Sequence, residues 1–194
     1  MSELYTIPST EDLASLSART PDYMRPNTLP YAAVAPGYLS DVQCDSIIET
    51  YMKEEPYNFT SCGATTRECP RPLDSVLELA VYFTNQVNKI YWQYALDEYP
   101  AAWLQTYKSG DSYKVHMDCA AGQSRKLTAV IMLTDSKDYE GGDLRFVDLL
   151  SLPKVEPRRG TIVVFSSWLR HEVTPLTRGF RQTINLGFHG PPFI

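Results

Sequence analysis

The sequence predicts an α+β fold that is mostly β, a jelly roll backed by N-terminal helices. Two observations carry that expectation. Apolar residues recur at helical spacing in two stretches before residue 100, and after Pro100 the period changes to two, in seven short runs divided by Gly, Pro, Asp and Ser turns. Strands that follow the helices, instead of alternating with them, fit a sandwich with helices on one side and not parallel βαβ units. With 194 residues the chain is sized for a single domain over 1–194. Its expected parts are an extended arm at 1–36, helical support at 37–100 and the jelly-roll core at 101–194.

The arm is inferred from Pro8, Pro21, Pro26, Pro30 and Pro36, which interrupt any periodic apolar pattern. Ser40 is a good helix N-cap, and the stretch after it sets Val42, Ile47 or Ile48 and Tyr51 near helical spacing until Pro56 stops it. A longer helix follows, with Pro72 in its first turn and Leu73, Val76, Leu77, Ala80, Phe83, Val87 and Ile90 on one face. Between them, 57–71 reads as a loop containing Gly63. Strands are expected at 103–107, 113–116, 127–133, 143–146, 161–165, 171–173 and 181–188. Gly141 and Gly142 suit a tight turn.

Composition excludes several classes. Hydrophobic residues make up 43% and charged residues 21%, which is globular and not disordered. Apolar runs such as 129–133 fall far short of the roughly 18 residues a membrane span needs. The first residues carry Glu3, Glu11 and Asp12 and lack a basic then apolar leader pattern, so the expected location is cytoplasmic. Cys44, Cys62, Cys69 and Cys119 are too irregular for a disulfide framework and read as reduced thiols. A net charge of −5 argues against a protein that binds mainly by neutralising phosphates. The charge is unevenly spread: residues 1–100 hold 6 Lys and Arg against 14 Asp and Glu, whereas 101–194 hold 12 against 9. An anionic ligand is more welcome in the second half.

Only three histidines are present, His116, His171 and His189. Asp118 lies two residues after His116, and residues i and i+2 of a strand share a face, so an imidazole and a carboxylate can reach one ion. His171 follows after 52 intervening residues, on a separate expected strand. Two histidines and one carboxylate on a β scaffold are the facial set that leaves three positions of an octahedral Fe(II) open, whereas structural zinc wants a closed tetrahedral shell. After nine intervening residues beyond His171 comes Arg181, heading a run in which Arg181, Thr183, Asn185 and Gly187 face one side and Gln182, Ile184, Leu186 and Phe188 the other. A guanidinium offers a planar fork for a carboxylate at the head of that polar row.

In this order and spacing, His116-Met117-Asp118, His171 and Arg181 resemble the Fe(II)/2-oxoglutarate-dependent oxygenases, and most closely their prolyl-hydroxylase-like branch. LQTYKSGDSYKVHMD, YEGGDLRF, PRRGTIVVF and HEVTPLTRGFR carry the resemblance, over roughly 101–190. It implies a double-stranded β-helix and metal ligation and catalysis at His116, Asp118 and His171. It further implies Fe(II) as cofactor, with 2-oxoglutarate and O2 as co-substrates. The implied reaction oxidatively decarboxylates 2-oxoglutarate to succinate and CO2 and hydroxylates a C–H bond of an amino-acid, peptidyl, prolyl or small polar metabolite substrate. A carboxylate at Asp118 implies hydroxylation or a related oxidation, because relatives that halogenate have Gly or Ala there. Arg181 is the implied anchor for 2-oxoglutarate, with Arg178 as rival, and Tyr107, nine residues before His116, is placed to help hold it.

Two other readings stand beside this one: a nucleic-acid demethylase of the same superfamily, suggested by Tyr107 and Gly110 but opposed by the net acidity, and a cupin-like barrel that binds metal or ligand without catalysis. Nucleic acid and membrane are not expected partners; a small-molecule or peptidyl substrate is. Substrate choice is expected in 57–71 and 120–126, where Arg67, Arg71 and Arg125 can pair with a substrate carboxylate. Trp168 is expected to shape the mouth or to pack half-buried, His189 to be a surface residue and not a fourth ligand, and Cys119 to point away from Asp118.

Overall fold

A computed structural model describes residues 5–6, 32–58, 63–97, 99–119, 124–147 and 158–192. Two helices precede most of the strands. Helix α1 (Asp41–Tyr51) opens on a reciprocal cap in which Ser40 accepts from the Gln43 amide and the Gln43 side chain accepts from the Ser40 amide. It buries Cys44, Ile47 and Tyr51. Val42 was expected on that face and is instead 77% exposed, since it sits about 200° round the helix from Cys44. Helix α2 (Ser75–Ile90) starts at Asp74, whose carboxylate accepts from the amides of Val76 and Leu77 at 2.8 and 2.9 Å. Pro72 therefore lies before the cap and not in the first turn. No helix among the described residues is long and apolar enough to cross a membrane.

The strands are β1 (Tyr5–Thr6), β2 (Ala32–Ala35), β3 (Pro56–Asn58), β4 (Thr65–Glu68), β5 (Ala101–Lys108), β6 (Tyr113–His116), β7 (Arg125–Met132), β8 (Tyr139–Gly141), β9 (Leu144–Phe146), β10 (Ile162–Ser166), β11 (His171–Val173) and β12 (Leu176–His189). The larger sheet runs β1-β2-β10-β7-β12-β5-β4-β3, with β8 paired to the first part of β12, and the smaller runs β6-β11-β9. All seven expected strands are present. Five others, β1, β2, β3, β4 and β8, extend the sheet where the sequence reading placed the arm, the loop and a turn. The arm expectation is corrected at 32–35, which form a buried strand between β1 and β10. The expected loop at 57–71 contains most of the antiparallel pair β3 and β4, joined to the sheet through β5. The remainder of the expected arm, 1–4 and 7–31, and the centre of the loop, 59–62, lie outside the described residues.

Alternation along the strands separates two apolar layers. Ile184, Leu186 and Phe188 of β12 join Leu104, Ala129, Ile131, Ile162 and Val164 in a core shared with both helices. Each fully buried Val, Leu, Ile or Phe among them contributes roughly 1.5–3 kcal/mol. On the opposite face Val130, Met132, Val163 and Phe165 meet Leu144 and Phe146 of the smaller sheet, while Tyr107 meets Val173, Leu176 and Tyr113. The two sheets thus face one another across a space that is apolar at one end and polar along the β12 inner row. Removing the α2 cap with Asp74→Ala should lower the unfolding free energy by about 1 kcal/mol, seen as a lower urea midpoint at unchanged slope.

Candidate metal and co-substrate site

The polar row occupies a cavity of about 100 Å³ between the sheets. Strand register assembles its floor: Tyr107 lies opposite Arg181, Gln105 opposite Thr183 and Trp103 opposite Asn185 on β5, while β7 sets Met132, Val130 and Thr128 against Thr183, Asn185 and Gly187. The smaller sheet supplies the other wall, with His116 and His171 directly paired across β6 and β11. Asp118 lies beyond the end of β6, so the shared-strand-face expectation is corrected. Its position comes instead from a bend in which the amides of Asp118 and Cys119 both donate to the Ser167 carbonyl, at 2.9 and 3.0 Å.

One ligand atom from each of His116, Asp118 and His171 lies within 4.8 Å of the others. The imidazole orientations are locally fixed. His116 Nδ1 is 2.8 Å from the Lys114 carbonyl and His171 Nδ1 is 2.9 Å from the Leu169 carbonyl. A carbonyl only accepts, so each Nδ1 carries the proton and each Nε2 is left as the ligating atom. His116 Nε2 stands 3.4 Å from Asp118 Oδ1, and His171 Nε2 3.8 Å from Oδ2. Tyr113 stacks on His116 with ring centroids 3.9 Å apart, and Phe165 meets His171 edge-on at 4.8 Å.

Electrostatics make this cluster incomplete by itself. Burial opposes an ionised Asp118, but its polar surroundings, the Arg125 guanidinium and the Thr128 hydroxyl among them, outweigh it and hold the carboxyl well below its usual range. Burial pushes His171 below an ordinary imidazole. A neutral imidazole lone pair facing a carboxylate is unfavourable unless a cation stands between them, so the donor set fits a divalent metal. Thr128 Oγ1 donates to Asp118 Oδ2 at 2.5 Å, and Arg125 Nη1 lies 3.4 Å from Oδ1.

Arg181 is only 2% exposed. Its Cζ lies 5.4 Å from the Tyr107 ring centroid, its Nη2 donates to Met132 Sδ, and its Nε has no hydrogen-bond partner. Gly142 gives it room, since a Cβ there would stand 3.0 Å from Arg181 Cδ. A buried cation with no carboxylate beside it among the described residues fits an incoming carboxylate such as that of 2-oxoglutarate. Tyr107 lines the same cavity, its hydroxyl donating to Gln105 Oε1 at 2.9 Å. Arg178 does not. It is surface-exposed and paired with Glu140 at 2.9 Å.

Of the three arginines expected to meet substrate from loops, Arg67 lies on β4 and Arg71 is exposed, and neither lines the cavity; Arg125 does, but from β7. Residues 120–123 of that expected substrate segment lie outside the described residues. His189 ends β12 and approaches Ser124, away from the other two histidines. Trp168 is 48% exposed and is not part of the cavity wall. The sequence reading missed Tyr113 and Thr128. A threonine in the apolar run LTAVIML was a usable signal, because alternation sets Thr128 on the face opposite Leu127 and Ala129.

Two facing sheets around a His-Asp-His cluster and a buried arginine define a double-stranded β-helix protein with a candidate metal site. Residues 102–189 match the family model described as the 2OG-Fe(II) oxygenase superfamily. A PKHD-type hydroxylase of Pseudomonas fluorescens is 31% identical over 86 residues, covering 40% of this chain and 38% of the relative, so the match spans under two fifths of that protein. Among solved structures, a viral collagen prolyl hydroxylase from Paramecium Bursaria Chlorella virus-1 superposes with a TM-score of 0.67 at 21% identity, over 83% of this chain and 97% of the other. A Pseudomonas putida prolyl-4-hydroxylase gives a TM-score of 0.67 at 20% identity, over 84% and 94%. The jelly-roll half of the chain is thus similar to the 2OG-Fe(II) oxygenase superfamily, and the chain has the fold of the prolyl hydroxylases. The family described by that model implies Fe(II), 2-oxoglutarate and O2.

Because Thr128 braces one oxygen of Asp118, Thr128→Val should weaken divalent-metal binding by about 10- to 100-fold without loss of folding, measured by isothermal titration and circular dichroism.

Proposed function

We propose that this chain is a non-haem Fe(II)/2-oxoglutarate-dependent dioxygenase whose single domain hydroxylates a C–H bond of an amino-acid, peptidyl or small polar metabolite substrate, with release of succinate and CO2. One observation carries the reading: a cluster of electron-rich donors and a buried guanidinium without a carboxylate partner among the described residues share one cavity. The donors alone fit many metal proteins. The unpaired arginine adds the demand for an anion, and a dicarboxylate satisfies it.

In this reading His116 and His171 hold the metal through Nε2, their Nδ1 protons kept by backbone carbonyls, and Asp118 supplies the negative charge. Bound iron would supply the redox chemistry that couples 2-oxoglutarate decarboxylation to substrate oxidation. Arg181 takes the far carboxylate, with Tyr107 packed beneath the guanidinium to fix its plane. Met132 and Val130 keep that end apolar, which strengthens the charge pair by excluding water. Arg125 offers a cation near Asp118 to an anionic or carbonyl group of substrate. The names of the viral and P. putida fold neighbours support a prolyl or other peptidyl substrate.

The test begins with anaerobic addition of Fe(II) and 2-oxoglutarate, followed by visible absorption, and continues with succinate release against a panel of amino acids, prolyl peptides and small metabolites. His116→Ala and His171→Ala should each abolish stoichiometric Fe(II) binding and turnover; full activity with undiminished iron in both would exclude the ligand assignment. Arg181→Ala should cost roughly 2–5 kcal/mol of 2-oxoglutarate affinity, about 30-fold to several thousand-fold, while metal affinity holds. Arg178→Ala should leave both unchanged, and a large co-substrate defect there instead would transfer the anchor to Arg178.

A further inference from the structure

Arg125 points where strand alternation says it should not. Leu127, two residues on, faces the helices, so a regular strand would turn Arg125 the same way. The register between β12 and β7 shifts between Phe188 and His189: Phe188 lies opposite Leu127, and the next residue, His189, opposite Arg125. Lys126 is thus the extra residue of a β-bulge, and bulges re-aim side chains. The guanidinium swings into the cavity, lies 5.0 Å from the Trp103 ring centroid and reaches Asp118.

The space it occupies belongs to Gly187. A Cβ at that position would stand 2.7 Å from Arg125 Nε, 3.0 Å from Cζ and 3.2 Å from Nη2. Nothing in the backbone demands glycine there, since Gly187 is absent from the residues of positive φ. The atoms a Cβ would meet are all the far end of one flexible side chain, so alanine is compatible with the strand and incompatible with Arg125 as it lies. Arg125 Nε is buried without a hydrogen-bond partner, so the guanidinium is held by its neighbours' shape and by the Asp118 charge more than by a bond at Nε.

We infer that Gly187 is a positioning residue. Its missing side chain opens the slot in which Arg125 lies against Trp103 and braces the Asp118 carboxylate. The consequence for metal affinity rests on the reading of Asp118 as a ligand; the slot does not.

Two readouts keep these apart. In metal-free protein carrying 5-fluorotryptophan, the Trp103 fluorine resonance, assigned by its loss in Trp103→Phe, should move in Gly187→Ala and in Arg125→Ala. Gly187→Ala should produce no further movement once Arg125 is alanine, and almost none with Arg125→Lys, whose unbranched stem leaves room for a Cβ. In Co(II) titrations both single variants should bind about 10-fold more weakly, and the double variant no more weakly than Arg125→Ala. An unmoved resonance in Gly187→Ala, or an equal extra loss of Co(II) affinity when it is added to Arg125→Ala, would overturn the inference. If the unaltered protein does not bind Co(II), the ligand reading of Asp118 fails, and the fluorine comparison still decides the slot.

Discussion

The pleat of β12 is the constraint on which the rest depends. Its inner row, Arg181, Thr183 and Asn185, and its outer row, Ile184, Leu186 and Phe188, are separated by a single residue step. A slip of one residue against β5 and β7 would drive a guanidinium into the helix-facing core and carry isoleucine and leucine into the polar cavity. Two apolar layers and two flanking strands therefore lock one register, and that register sets Arg181 over Tyr107 and Asn185 beside Trp103. The same pairing leaves the smaller sheet to carry both imidazoles, so the anion-seeking and cation-seeking halves of the site come from opposite walls.

The cavity holds polar groups in states that folding alone would not select. Taking a charged group out of water costs several kcal/mol even after relaxation, and Arg181 recovers only part of this through the Tyr107 ring and the Met132 sulfur. Asp118 is stabilised by Thr128 and Arg125 but faces histidine nitrogens with no proton to offer. Bound metal and a bound carboxylate each relieve one of these opposed deficits. The apo fold is left less stable than an apolar filling would make it, and its two ligands are coupled to folding by mass action.

Much of the site was legible because the residues that carry it are scarce. Three histidines, a carboxylate two residues from one of them and an arginine at the head of an alternating run leave few arrangements on a β scaffold. Asp118 was nonetheless placed beside His116 by a strand argument, whereas a backbone bend at Asp118, held by the Ser167 carbonyl, does the work. What stayed hidden depends on pairing that local sequence does not encode. AAVA lacks the aromatic and β-branched alternation that marks a strand, TTRE is a polar strand near the sheet's edge, and YEG ends in glycine; each is extended because a neighbour pairs with it. Arg125 was read as a loop residue because a bulge is a mismatch between two strands and has no signature in either one. Val42 was misjudged for a simpler reason, since on a helix of three turns several apolar subsets fit the same period.

Strand β2 carries a practical consequence for cutting the chain. Ala32–Ala35 covers the edge of β10, whose Ile162, Val163, Val164 and Phe165 are all fully buried. A fragment starting after Pro36 would keep the helices and every cavity residue, yet it would leave a four-residue apolar β edge with open amides and carbonyls. Such an edge recruits strands from other molecules, so the fragment would be limited by self-association before its chemistry could be measured.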